Sequence, residues 1–149
     1  PDRLDAVIAE LRAGVPARRL LAQEFVPEIR EGERAFVFVD GGFTHAFLRQ
    51  PDTSRRLAHD PDEPEFRANS QHGVRVSLIE SLSPDQIAQA RAVLDLLPER
   101  PLYARVDGVF RAGRLILTEL ELNEPSLRLD LCAAAAERFA DAIVRRGIG

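Results

Sequence analysis

Apolar residues recur at Leu4, Val7, Ile8 and Leu11, the spacing of one helix face, and predict a helix over Asp2 to Ala13 that Gly14 and Pro16 end. Arg19 to Val26 reads as a strand broken by Pro27, and Glu28 to Glu33 as a polar loop. Ala35 to Val39 is a continuous β-rich run. Asp40-Gly41-Gly42 signals a turn, with Phe43 to Arg49 as the returning strand. Pro51 to Pro64 is a polar, proline-bearing loop, long for a compact domain. Val74 to Ile79 is a further short strand. Ser83-Pro84-Asp85 starts a helix, serine as cap and proline in the first turn, with Ile87, Ala90, Val93, Leu94 and Leu97 on one side and Pro98 closing it. Leu102 to Phe110 and Leu115 to Asn123 are two strands around Ala112-Gly113, and Leu131 to Val144 is a closing helix. The predicted fold is α+β, a mainly antiparallel sheet with helices packed on one face.

Alternation along a strand separates its two faces. Tyr103, Arg105 and Asp107 share one face, opposite Leu102, Ala104, Val106 and Phe110; Glu119, Glu121 and Asn123 lie opposite Ile116, Thr118, Leu120 and Leu122. A two-residue Ala112-Gly113 turn pairs Arg111 with Arg114, sets Asp107 against Thr118 and mixes the faces. A three-residue loop, Ala112 to Arg114, pairs Asp107 with Glu119, Arg105 with Glu121, Tyr103 with Asn123 and Phe110 with Ile116. The apolar pattern therefore selects that loop, with Gly113 near a left-handed, bulge-type position.

Composition narrows the class. The 149 residues are 45% hydrophobic and 30% charged, one domain's length, too apolar for a disordered segment and too interspersed with charge for a membrane span. A net charge of −4 argues against a nucleic-acid-binding face. The single cysteine, Cys132, excludes an internal disulfide framework and reads as a small core filler. No charged-then-apolar leader opens the chain, so a cytoplasmic protein without a membrane partner is expected. There is no methionine, which points to a piece of a longer chain, and no lysine: all 20 basic side chains are arginine, which removes Schiff-base chemistry and lysine clamps on phosphate.

The chemistry concentrates on one hairpin face. Asp107, Glu119 and Glu121 crowd three carboxylates into a small area, where mutual repulsion calls for a compensating cation. Oxygen-only ligands suit Mg²⁺ or Mn²⁺. The other reading of the same residues is a solvated strand face with Arg105 as counter-ion. His45 and His72 have no partner at metal-ligand spacing; His45 is expected to pack in its strand, and His59 to be solvated.

Arg105-Val106-Asp107-Gly108, Leu117-Thr118-Glu119-Leu120-Glu121 and Pro125-Ser126 together resemble the metal-binding end of ATP-grasp ligases of the glutathione-synthetase type. Upstream, Gln23 to Ile29 and Gly32-Glu33 look like that family's adenine hinge and ribose-binding acid, and Val37 to Gly41 like the strand and turn that follow. Arg49-Gln50-Pro51 and Phe66-Arg67-Ala68-Asn69 look like its substrate- and phosphate-facing motifs. The likeness runs in order from about Leu20 onward.

The resemblance implies ATP and Mg²⁺ (or Mn²⁺) as cofactors. It implies a reaction that activates a small carboxylate as an acyl phosphate for attack by an amine or similar nucleophile. It assigns the metals to Asp107, Glu119 and Glu121, adenine to the backbone of Glu24, Phe25 and Val26, the ribose to Glu33, and the transferring phosphoryl to Arg49, Arg67 and Arg105, with Asn69 beside the nucleotide. Where the family usually has Glu-x-Asn, this chain has Glu119-Leu120-Glu121, a replacement that resembles a subgroup including a cyclo-ligase of cycloserine biosynthesis; Glu121-Leu122-Asn123 is an alternative frame with the wrong spacing to Pro125. His72-Gly73 stands where a paired glycine is usual. The family's phosphate-binding lysines and glycine-rich lid have no counterpart before Leu20. The resemblance therefore implies residues 1–18 as a helix and linker left from a preceding subdomain, residues 19–149 as the C-terminal subdomain, and N-terminal domains of the same chain as a partner, with a second copy as a further candidate. A non-catalytic ATP-grasp-like binding or dimerisation module is the competing expectation, and a plain divalent-ion site a third.

Overall fold

A computed structural model of the chain describes residues 2–14, 23–51 and 74–147. Helix α1 spans Asp2–Gly14, as its apolar spacing predicts. A 3-10 turn at Pro27–Glu31 leads into strand β1 (Glu33–Val39), followed by β2 (Gly42–Pro51), β3 (Val74–Leu78), helix α2 (Pro84–Leu94), β4 (Tyr103–Arg111), β5 (Arg114–Glu121), a 3-10 turn at Leu129–Leu131 and helix α3 (Ala133–Arg145). Of the strand predicted at Arg19 to Val26, residues 23–26 are irregular and the rest lies outside the described residues. The Pro51 to Pro64 loop lies outside them from residue 52 onward. Among the described residues no helix is long and apolar enough to cross a membrane.

The sheet is antiparallel throughout, in the order β3-β2-β1-β4-β5. The α+β class and the antiparallel sheet follow the sequence pattern; the placement of the helices does not. Apolar residues of both parities run through β1. Phe36 and Phe38 pack with Ala46, Val106 and Ala90 of α2 on one face. Ala35 and Val37 pack with Phe47, Leu127 and Leu131 on the other. On that second face Phe139 of α3 meets Tyr103, the cross-strand partner of Val39, with ring centroids 5.8 Å apart. The helices therefore divide between the faces, because a central strand apolar on both sides must be covered on both. Each fully buried phenylalanine contributes on the order of 1.5–3 kcal/mol.

Helix α2 begins with the expected cap, elaborated into a capping box: Gln86 N donates to Ser83 Oγ (3.2 Å) and Ser83 N to Gln86 Oε1 (3.1 Å). It ends at Leu94, one turn short of the predicted Leu97. Gln89 reaches across to the β4–β5 hairpin, donating to Gly113 O (2.9 Å) and accepting from Leu115 N (2.7 Å).

The β4–β5 register corrects the predicted loop while keeping its key pairs. Arg111 pairs with Arg114 across a two-residue turn whose central residues, Ala112 (φ 49°) and Gly113 (φ 78°), both lie in the left-handed region that such a turn requires. Phe110 consequently faces Leu115, not Ile116. Between Gly108↔Leu117 and Asp107↔Glu119 the ladder shifts, leaving Thr118 as the extra residue of a bulge. The bulge moves the register by one, so Asp107 still meets Glu119 and Arg105 meets Glu121. The predicted Tyr103–Asn123 pair does not form, since β5 ends at Glu121. Gly108 makes the bulge possible: a Cβ there would lie 2.6 Å from Leu115 Cδ1 and 2.7 Å from the Ile116 carbonyl oxygen.

Gly108→Ala is expected to destabilise the chain by about 1–3 kcal/mol, because backbone must shift to admit the methyl group; urea denaturation measures it. A second expectation concerns Glu28, which ties the first 3-10 turn to Arg111 through a 2.8 Å bond to Nη2. The Arg111 guanidinium lowers the Glu28 carboxyl from 4.5 to about 2. The stabilisation is therefore full above the unfolded value and lost as pH falls through the folded one. In urea titrations the stability difference between the parent and Glu28→Gln should be present at pH 7 and shrink steadily toward pH 3; a constant difference would contradict the pairing.

Candidate functional site

Glu33, Ala35 and Val37 lie on one face of β1, and their cross-strand partners place Arg49 of β2 and Asp107 and Arg105 of β4 on that face too. Glu119 and Glu121 join through the β4–β5 register. The sheet thus gathers Arg49, Arg105, Glu33, Asp107, Glu119 and Glu121 from four strands.

Asp107 is the centre. It is fully buried, and a buried carboxylate without a cation costs several kcal/mol. Arg105, two residues away on the same strand face and 5% exposed, donates from Nε to Oδ1 (2.8 Å) and from Nη2 to Oδ2 (2.8 Å). The same Nη2 donates to Glu121 Oε1 (2.5 Å), and Nη1 to the Ser126 carbonyl (3.2 Å). From the other side of β1, Arg49 Nη1 donates to Asp107 Oδ2 (3.1 Å) and Glu33 Oε2 (3.0 Å). Thr118, the bulge residue, donates its hydroxyl to Glu33 Oε1.

Two carboxylates are held above their usual range. Burial raises Glu33 first, with the charges of Asp107 and Glu119 adding, against the Thr118 hydrogen bond and Arg49. Burial also raises Glu121 first; Arg105 opposes, and Glu119 and Asp107 add, Glu119 both by charge and by a hydrogen bond. Among the described residues, four carboxylates (Glu33, Asp107, Glu119, Glu121) stand against two guanidiniums (Arg49, Arg105), a formal excess of negative charge.

Ligand oxygens of Asp107, Glu119 and Glu121 lie within 4.8 Å of one another. An all-oxygen set with an excess of negative charge fits a hard divalent cation. The convergence is of the Glu119-x-Glu121 frame; Asn123 of the alternative frame lies exposed in the bend beyond β5.

Glu24, Phe25 and Val26 form the irregular approach to the first 3-10 turn, where the Val26 carbonyl accepts from Ile29 N (3.2 Å) and the Arg30 guanidinium lies 5.1 Å from the Phe25 ring centroid. Arg67, Asn69, His59 and His72 lie outside the described residues. His45 packs as expected, 5% exposed, with Nε2 3.0 Å from the Leu127 carbonyl, Nδ1 3.0 Å from Thr44 Oγ1, and burial lowering its pKa. Cys132 is half-buried just before α3. Thr118 is the member of the cluster that sequence reasoning missed, because unbroken alternation puts it on the apolar face; Gly108 opposite was the one available signal of a bulge.

No protein-family model matches the chain, and no curated protein matches it significantly. Solved structures do. A D-cycloserine synthetase, DcsG, is 28% identical, with a TM-score of 0.62, over 83% of this chain and 41% of its own. Two structures of the D-alanine–D-alanine ligase of Bacillus anthracis, one complexed with ATP, share the fold at 16% and 14% identity, with TM-scores of 0.53 and 0.55, over 95% of this chain. The chain spans 41 to 46% of the length of these three structures. In its antiparallel sheet and its flanking helices, the chain shares the fold of the ATP-grasp ligases.

Proposed function

We propose that this chain is the C-terminal part of an ATP- and Mg²⁺-dependent carboxylate ligase, residues 19–149 forming its C-terminal subdomain and residues 1–18 the end of a preceding one. The observation that carries the reading is the convergence of Asp107, Glu119 and Glu121 with Arg49 and Arg105 on one sheet face of an ATP-grasp-type fold. The likeness to a D-cycloserine synthetase and to a D-alanine–D-alanine ligase complexed with ATP supports it.

In this reading a carboxylate oxygen of the substrate attacks the γ-phosphorus of ATP, ADP leaves, and an acyl phosphate forms. An amine or similar nucleophile then attacks the acyl carbon, and inorganic phosphate leaves. Asp107, Glu119 and Glu121 would hold Mg²⁺, whose chemistry is to neutralise charge on the nucleotide's phosphates. Arg49, Arg105 and Arg67 offer guanidinium forks to the transferring phosphoryl and to the acyl phosphate. Backbone groups of Glu24 to Val26 meet the adenine edge, with Asn69 beside the nucleotide. Glu33 accepts from the ribose hydroxyls, a role for which Arg49 and Thr118 hold its carboxylate in place. The remaining phosphate contacts come from N-terminal domains of the same protein.

A second reading, a non-catalytic binding or dimerisation module, draws on the absence of lysine, the family's phosphate-binding cation, from the chain. Isothermal titration of the complete natural protein with Mg-ATP separates the two. Binding is expected, weakened at least about tenfold in a Glu119→Gln, Glu121→Gln double variant, the scale typical for loss of metal-site groups. No heat with the parent, or a double variant that binds as the parent does, would overturn the ligase reading.

A further inference from the structure

The hydrogen bonding of Asp107 conflicts with its expected work as a ligand. Its Oδ1 accepts from Arg105 Nε (2.8 Å), and its Oδ2 accepts from Arg105 Nη2 (2.8 Å) and Arg49 Nη1 (3.1 Å), with Arg105 Nε a further 3.1 Å away. A carboxylate oxygen offers about two lone-pair directions, so Oδ2 is already full and Oδ1 keeps one, beside which the Arg105 charge still opposes a cation. Glu121 spends Oε1 on the same Arg105 Nη2. One guanidinium thus occupies two of the three carboxylates that converge for a divalent cation.

We propose that Arg105 is the resident counter-ion of this cluster and that a divalent cation displaces it. The proposal rests on the metal-binding part of the function above and adds the order of events. A guanidinium forked onto Asp107 and Glu121, with Nη1 also bonded to the Ser126 carbonyl, keeps one uncommitted N–H and so has no two-donor fork to offer a phosphoryl oxygen. Once the cation has taken over the carboxylates, the same fork is free to turn toward one. Arg105 thereby delivers its charge to the phosphate only after the metal is loaded, which guards against a phosphate complex without its cation. The Ser126 carbonyl, a third acceptor of Arg105, loses that bond in the same exchange, so cation loading is also felt in the segment that follows β5.

Two measurements test the exchange with Mn²⁺ or Mg²⁺ alone, without nucleotide. In the parent protein, the Nε–H resonance of Arg105, protected by its bond to Asp107, should shift and exchange faster with water as Mg²⁺ is added. An Arg105 signal unchanged at metal saturation overturns the exchange. In Arg105→Gln, Mn²⁺ should bind about tenfold tighter than in the parent, since a competing positive charge is gone; equal or weaker binding by a folded variant also overturns it. Glu119→Gln separates the two levels of the argument. If neither metal binds the parent, or Glu119→Gln binds as the parent does, the metal reading itself has failed and takes the exchange with it.

Discussion

A carboxylate with no exposure to water must find cations inside the protein, and Asp107 finds two. Leaving such a charge unpaired would cost several kcal/mol, so the surrounding structure is organised to prevent it. Arg105 is placed by the simplest local rule, two residues away on the same face of one strand. Arg49 is placed by tertiary pairing: β2 and β4 both flank β1, and Arg49 reaches Asp107 across that central strand. The central position of β1 thus brings the second cation to the buried carboxylate.

The same sheet face carries the second hydrophobic cluster, and the two halves of the face are linked through the segment after β5. Leu127 and Leu131 cover Ala35, Val37 and Phe47. The carbonyls of Ser126 and Leu127 are both held by side chains rising from the sheet, Arg105 and the buried His45. The apolar cover and the charged cluster thus share backbone, and a change in the hold of Arg105 reaches the packing of that segment directly. Helix α2 fills the opposite face with Ala90 against Phe36 and Phe38, and its Gln89 fastens the tip of the β4–β5 hairpin from which the two glutamates project.

The bulge at Thr118 shows how a local irregularity can rescue a register. A two-residue turn alone would have put Asp107 opposite Thr118 and mixed acidic with apolar positions. The extra residue restores the carboxylate pairing and brings the threonine hydroxyl to Glu33. Gly108, with no room for a side chain, lets the strands approach at that point.

Much of this was legible in the chain itself. Helical spacing and capping placed α2, alternation separated charged from apolar faces on β4 and β5, and the requirement that like faces meet paired Asp107 with Glu119 and Arg105 with Glu121. These are consequences of periods of 3.6 and 2, which a sequence carries residue by residue. The continuous run of β1 also held the sign that both faces are covered, yet a run apolar at both parities does not say which helix goes where. That was decided by packing, as were the bulge, the reach of Arg49 across the sheet and the entry of Thr118 into the cluster. Each depends on residues far apart in sequence meeting in space, where burial sets the energy of a charge and only the partners that tertiary structure supplies can offset it.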